Sequence, residues 1–307
     1  MNHTSFLFFD CECANCFDGE GKICSLGYVL TDDEFNIIEK QDVVMNPKCE
    51  FDWYILSAKN KCQLAYSKDY FRAQPDFGAF YKDIKKLFTS GNRKIFGFAV
   101  DGDVSFINTA CERAGVDYIQ FASMDLRPVF ESSYNEKMKL KEWCEYLKID
   151  VSDFTAHRSV DDAEMTMLCC KELCKKLEIT GDELYSKFHQ NVITWEHMLD
   201  VMEERRIKKE FKLKIEKLTN KKNPFPKKNI FNNKQFELDR TIYHDSESAY
   251  DICKKIFDYG GVLPAKINNN GYFIYNDTIP SHIKQKYESR KNQVLSLEEF
   301  KQLLIKE

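Results

Sequence analysis

The chain contains no uninterrupted apolar run near the ~18–20 residues that a bilayer-spanning helix needs, which leaves out a helical membrane protein. It also lacks excess positive charge: 45 Lys and Arg stand against 49 Asp and Glu, a formal charge of −4 over 307 residues. A global basic field that pulls the protein onto nucleic acid is therefore excluded, so a polyanion partner has to be held by a local patch or by metal ions. Internal repeats and low-complexity tracts are absent, and 12 Gly with 7 Pro is far from a collagen-like composition. The start, MNHTSFLFFD, lacks the basic region, long apolar core and small-residue cleavage site of a signal peptide. With no secretory signal, the 12 cysteines are expected to be reduced, mostly buried thiols of a cytoplasmic protein.

The composition that remains, 43% hydrophobic and 31% charged, is that of a folded globular chain, and its length suits about two domains. Residues 5–10, 22–30 and 42–45 read as strands, the first a short apolar run ending in acid. Pro75 opens a helix with Phe77, Phe80, Ile84, Leu87 and Phe88 on one face, broken at Gly91-Asn92. Residues 94–100 read as a fourth strand, followed by a helix that ends at Gly115, and 118–122 as a fifth strand. Helices are expected over 140–147 and 161–177. Strands first and helices interleaved later predict an α/β fold, a mixed five-stranded sheet flanked by helices.

From about residue 180 the character changes. Residues 182–218 read as one or two long helices, increasingly basic through Arg205, Arg206, Lys208, Lys209, Lys212 and Lys214, stopped by Asn223-Pro224. Such a run usually forms a solvated face, the favoured reading, while the sharper alternative is a phosphate-tracking patch. The last segment reads as a small α/β domain. It has strands at 235–242, 262–267, 272–275 and 294–295, and helices at 246–258, 282–291 and 297–305. Ser296 and Glu299 have capping-box spacing. The expected division is 1–178, a basic helical connector over 179–224, and 225–307.

The chemistry concentrates in four acids and a histidine. Asp10 and Glu12 stand at i and i+2 at the end of a buried strand, so both side chains share one face. Like charges there repel unless a divalent cation lies between them. The segment from Gly97 through Asp103 to Ile107 places an acid where a strand hands over to a helix. His157 precedes Asp162 by five residues, and a helix follows. Taken singly, these are strand-end acids and a loop histidine; the five together in this order are what carry the inference.

In that order and spacing, the chain resembles the DEDDh 3′→5′ exonucleases, which include the polymerase III proofreading subunit and RNase T. Their pattern is Asp-x-Glu, then Asp with apolar residues three and four further on, then His-x4-Asp-Ala. Asp10 and Glu12, Asp103 with Phe106 and Ile107, and His157 with Asp162-Ala163 match it, over roughly residues 3–178. Asp103 rather than Asp101 has the apolar pair, and Asp162 rather than Asp161 has the offset from His157. The resemblance implies an RNase H-like domain. It also implies two Mg²⁺ or Mn²⁺ ions held by Asp10, Glu12, Asp103 and Asp162, and His157 as general base. The implied product is a nucleoside 5′-monophosphate released from a single-stranded or frayed 3′ end. Phe98-Ala99 stands where many relatives carry His-Asn, and Cys13 where Thr or Ser is common, which leaves nucleotide contacts open.

Cys13 and Cys16 have CxxC spacing, but no second pair follows, and loop or buried thiols are expected over zinc or redox ligands. Cys169, Cys170 and Cys174 are expected in a helix core. Residues 225–307 resemble a BRCT domain through Tyr259-Gly260-Gly261, Tyr272–Tyr275 and the ending from Val294 to Leu304. Such domains bind phosphopeptides, DNA ends or proteins. Thr241 and Lys284 are its candidate phosphate ligands, although a packing or protein-partner role is favoured. The tail tilts the substrate toward DNA and the setting toward repair or proofreading. An RNA-trimming exonuclease and a non-catalytic binding adaptor remain the alternatives.

Overall fold

In a computed structural model, described over residues 4–17, 20–57, 63–226, 231–264, 266–276 and 279–305, the chain forms two compact units, Met1–Met198 and Leu199–Glu307. The first is built on a six-stranded sheet. Its strands are β1 (Ser5–Cys13), β2 (Ile23–Thr31), β3 (Ile37–Val44), β4 (Arg93–Gly97), β5 (Ser123–Asp125) and β6 (Val192–Ile193), in the order β3-β2-β1-β4-β5-β6. The first three are antiparallel, β4 and β5 run parallel to β1, and β6 is antiparallel to β5.

The expected mixed sheet of five strands is thus corrected to six. The sixth is two residues long, too short to leave any alternation in the sequence. Strand β3 starts earlier than expected because its first five residues lie on a solvated edge: Ile37 and Ile38 are exposed, and the polar run Glu39-Lys40-Gln41 that follows breaks the apolar pattern. The fifth strand is Ser123–Asp125, not 118–122. Ile119 is buried by packing outside the ladder, which gives the same apolar signal without strand pairing.

Strand β1 is central, and its alternation divides the core. Leu7, Phe9 and Cys11 face α2 (Phe77–Thr89) and α3 (Asp101–Ala114), within a cluster that includes Ile84, Val104 and Ile107. A six-residue helix, α1 (Lys68–Ala73), precedes them. Phe6 and Phe8 face the other way, toward α4 (Leu126–Tyr134), α5 (Leu140–Tyr146) and α6 (Ser159–Leu177). Cys169, Cys170 and Cys174 are buried in that second cluster. Helices α1 and α4 had no sequence expectation; both are short, and α4 carries Pro128 and two serines, which weaken its helical signal.

The connector is more broken than its composition suggests. It consists of α7 (Gly181–Lys187), a 3₁₀ turn, strand β6 and α8 (Trp195–Glu216). Along α8 the bases meet acids one turn away: Arg206 with Glu203 and Glu210, Lys208 with Glu204, and Lys214 with Glu210. This is a solvated, ion-paired face, and among the described residues no helix is long and apolar enough to cross a membrane.

The second unit carries a parallel sheet of β7 (Phe236–Leu238), β8 (Tyr272–Tyr275) and β9 (Gln293–Ser296), in that order. Helices α9 (Ser246–Asp258), α10 (Ser281–Glu288) and α11 (Leu297–Ile305) connect and flank it. Phe231, Phe236, Ile252, Ile256 and Phe300 form its core. Of the strand expected at 262–267, Val262 makes a single parallel bridge to Gln235, and residue 265 lies outside the described residues. The Ser296–Glu299 capping box is formed, with Glu299 N–H donating to Ser296 Oγ and Ser296 N–H to Glu299 Oε2.

Candidate active site

The period of two along β1 puts Asp10 and Glu12 on the face of Phe6 and Phe8, the face that α6 covers. Asp10 lies opposite Gly27 of β2 and Glu12 opposite Ser25, after which the strand bulges at Glu12/Cys13. Helix α6 starts directly against Gly27: a Cβ on that residue would collide with the backbone of Ser159 and Val160. This close approach delivers Asp162, in the first turn of α6, to the end of β1.

Asp103 arrives from the end of β4. It is buried in the first turn of α3, and its Oδ1 accepts the N–H of Cys11, the residue between Asp10 and Glu12, at 3.2 Å. Asp101 is exposed. Asp161 is committed elsewhere: its carboxylate accepts the Thr155 N–H at 2.8 Å and lies 3.7 Å from Arg158.

His157 sits in the loop before α6 with φ +59°, a left-handed conformation uncommon for a side chain of this size. Its carbonyl accepts the Ala65 N–H at 3.4 Å, and its Nδ1 lies 3.0 Å from Glu12 Oε1. Among the described residues, ligand atoms of Glu12, His157 and Asp162 come within 4.8 Å of one another. Asp10 and Asp103 stand outside that trio but interact electrostatically with it. All five sequence-predicted site residues therefore meet at one end of β1.

Burial and mutual repulsion dominate the electrostatics. Burial, then Asp103, Asp162 and Glu12, hold the Asp10 carboxyl well above the usual carboxylate range. Asp103 is raised by burial and by Glu12, against the opposing Cys11 hydrogen bond. Asp162 is pushed up to about 7 by burial and Glu12. An acid whose pKa rises on folding holds its proton better in the folded chain. Stability is therefore present at low pH and is lost as pH rises from the unfolded value near ~4 through the folded one. In EDTA, the melting temperature is expected to be roughly 3 °C or more higher at pH 5.5 than at pH 7.5. A thermal scan that is flat or inverted between these pH values would count against the strained cluster.

Two features escaped sequence reading. Asp125 caps α4 through the Arg127 N–H at 2.9 Å and also accepts the Ala99 N–H at 2.8 Å, which holds Ala99 at φ +64° where β4 turns into α3. An Asp before an apolar helical pattern was the available signal. The second is a chain from Arg158 Nε to Tyr66 Oη (3.1 Å), whose hydroxyl donates to Asp42 Oδ2 (2.7 Å). Its members are far apart in sequence, and no local spacing marks them.

The thiols of Cys13 and Cys16 lie 3.3 Å apart, with Cys16 exposed. At the proposed phosphate ligands, Thr241 Oγ1 donates to Asp239 at 2.6 Å, and Lys284 is 4.0 Å from Glu288. Acid already neighbours both groups.

Fold and site together define a class: an α/β domain with carboxylates and a histidine gathered at one end of a mixed sheet. The family model of the RNase T exonucleases matches residues 7–169, and the chain belongs to that family. The matched region takes in all five site residues, so the first unit is an exonuclease domain. Among solved structures, the chain is similar to a zinc-bound complex of Escherichia coli exonuclease I with single-stranded DNA. Identity is 19% and the TM-score 0.50, over 61% of this chain and 43% of that one. An exonuclease I complex with a dA16 oligonucleotide has 19% identity and a TM-score of 0.48, over 57% and 42%. The likeness is one of fold, and it spans less than half of the exonuclease I chain. No curated protein matches the sequence.

Proposed function

We propose that the protein is a metal-dependent 3′→5′ exonuclease that releases nucleoside 5′-monophosphates from single-stranded or frayed 3′ ends, with DNA as the favoured substrate. The observation that carries this is the meeting of Asp10, Glu12, Asp103, His157 and Asp162 at the end of β1, from three separate parts of the chain.

The donor set suits hard divalent cations. It offers carboxylate oxygens whose charged forms are disfavoured first by burial and then by one another, costs that a bound cation would offset. Mg²⁺ or Mn²⁺ ions held by Asp10, Glu12, Asp103 and Asp162 would supply Lewis acidity to the attacking and leaving oxygens of the phosphodiester. The rest falls to the chain's own groups. Glu12 at Nδ1 fixes the His157 ring and favours the tautomer with its proton on that nitrogen. Nε2 is then the basic atom, and it takes a proton from the attacking water.

DNA is favoured over RNA because of the tail. The parallel β7-β8-β9 sheet, with Val262 bridging to Gln235, supports a BRCT-like reading of residues 225–307. The exonuclease I complexes with single-stranded DNA lend the substrate class further support. The division 1–178, 179–224 and 225–307 is part of the same proposal, with the second unit serving a protein partner more than phosphate.

The test is a 5′-labelled single-stranded DNA and its RNA counterpart, incubated with Mg²⁺, Mn²⁺ or EDTA. A metal-dependent ladder shortening from the 3′ end is expected, faster on DNA. His157→Ala should slow it by about 10²–10⁴-fold. Faster RNA shortening would transfer the reading to an RNA-trimming enzyme; oligonucleotide binding without shortening would favour the adaptor.

A further inference from the structure

The exposed aromatics of the first unit gather near the site. Trp53 is 77% exposed, and Phe17, Tyr54 and Tyr70 are each about half exposed; Tyr146 is the one other exposed large aromatic described in this unit. The segment that carries Trp53, Tyr54 and Tyr70 is tied to the site on both sides. The Asp52 N–H donates to the Ala14 carbonyl at 2.8 Å, two residues beyond Glu12, and the Ala65 N–H donates to the His157 carbonyl. Tyr70 stacks on Tyr66 at 4.9 Å and 19°, and Tyr66 in turn accepts from Arg158, the neighbour of His157. Trp53 packs edge-on against Tyr54 at 5.9 Å, so its indole stands braced while remaining in water.

Among the described residues of this segment the bases are already paired: Lys68 and Arg72 both bind Glu50, and the chain as a whole is net negative. A strand that enters an acidic site on such a surface gains most from stacking its bases, which every base can do through its π-face. We propose that Trp53 and Tyr70, braced by Tyr54 and Tyr66, form a stacking platform for unpaired bases of the substrate strand beside the carboxylates. This rests on the nucleolytic reading of the site. It adds that aromatic faces supply affinity for the unpaired bases, so single strands are preferred over duplex with little sequence preference.

The test uses the full chain with Ca²⁺ and a fluorescein-labelled single-stranded oligonucleotide, followed by anisotropy and by tryptophan emission. Trp143 is fully buried and Trp195 half-buried, so quenching on binding should come chiefly from Trp53 and be lost in Trp53→Leu. Trp53→Leu and Tyr70→Leu should each weaken binding by about fivefold or more, while Trp53→Phe, which keeps an aromatic face, should retain most of it. Duplex binding should be weak and insensitive to either change. If wild type binds and degrades the strand and the leucine variants match it, the platform fails while the proposed activity stands. If wild type neither binds nor degrades, both fall. Self-association that is lost in Trp53→Leu, with oligonucleotide affinity unchanged, would reassign the patch to a contact between copies.

Discussion

Asp10→Asn is expected to abolish exonuclease activity, by roughly 10²–10³-fold or more, and at the same time to raise the melting temperature of the metal-free protein at pH 7.5. Both outcomes follow from one arrangement. Asp10 sits on the central strand with Phe8 below it and Asp103, Asp162 and Glu12 around it, and burial together with those charges disfavours its ionised form. An amide of nearly the same shape removes the repulsion and keeps the packing, so the folded state gains. It also removes one anionic oxygen from the set that would hold a divalent cation. Added Mn²⁺ should therefore raise the melting temperature of wild type markedly and that of Asp10→Asn much less, since a ligand stabilises only what it binds. Thermal scans with and without Mn²⁺, beside the ladder assay, check both halves. A variant that melts below wild type in EDTA, or that gains as much from Mn²⁺, would overturn this account.

The two halves of that result divide between what sequence can and cannot reveal. Asp10 and Glu12 were legible because strand period, apolar run and acid spacing coincide within a few residues. Asp103, His157 and Asp162 were legible through their own local spacing. Their convergence was implied only by the family resemblance; the geometry that brings it about, the register of β1 with β2 and the point where α6 begins, was not readable from local spacing. Asp125 and the Arg158–Tyr66–Asp42 chain were missed for a related reason. Each stabilises a loop conformation, Ala99 at φ +64° or the His157 loop, through partners remote in sequence. Strand β6 was missed because two residues carry no period. The helices with broad apolar stripes, α2, α3 and α6, were readable, whereas short α1 and α4 owe their form to capping at Ser67 and Asp125.

The register dependence makes a quiet position decisive. Gly27→Ala is expected to cost about 3 kcal/mol or more in stability and to lower kcat by an order of magnitude or more in the protein that still folds. Gly27 lies in a fully buried strand, opposite Asp10, and the space where its side chain would stand holds the backbone of Ser159 and Val160. A flexible side chain can swing aside for a methyl group, but the first turn of a helix cannot. Helix α6 is held behind by Ala163, Met167, Cys170 and Leu173, packed against Phe6, Phe8 and Phe96. The added methyl must therefore lift the helix start or spread β1 from β2. Either motion moves Asp162 away from Asp10 and Glu12, and displacements near 1 Å are enough to cost about 10²-fold in a positioned site. Gly91→Ala is the control. Gly91 has φ +72° with open space around it, so the same methyl there costs only the left-handed penalty, about 1 kcal/mol. Urea unfolding of the two variants, read with their cleavage rates, separates the cases. If Gly27→Ala unfolds no more easily than Gly91→Ala and cleaves at the wild-type rate, helix α6 does not reach the sheet as closely as described, and the placement of Asp162 beside Asp10 goes with it.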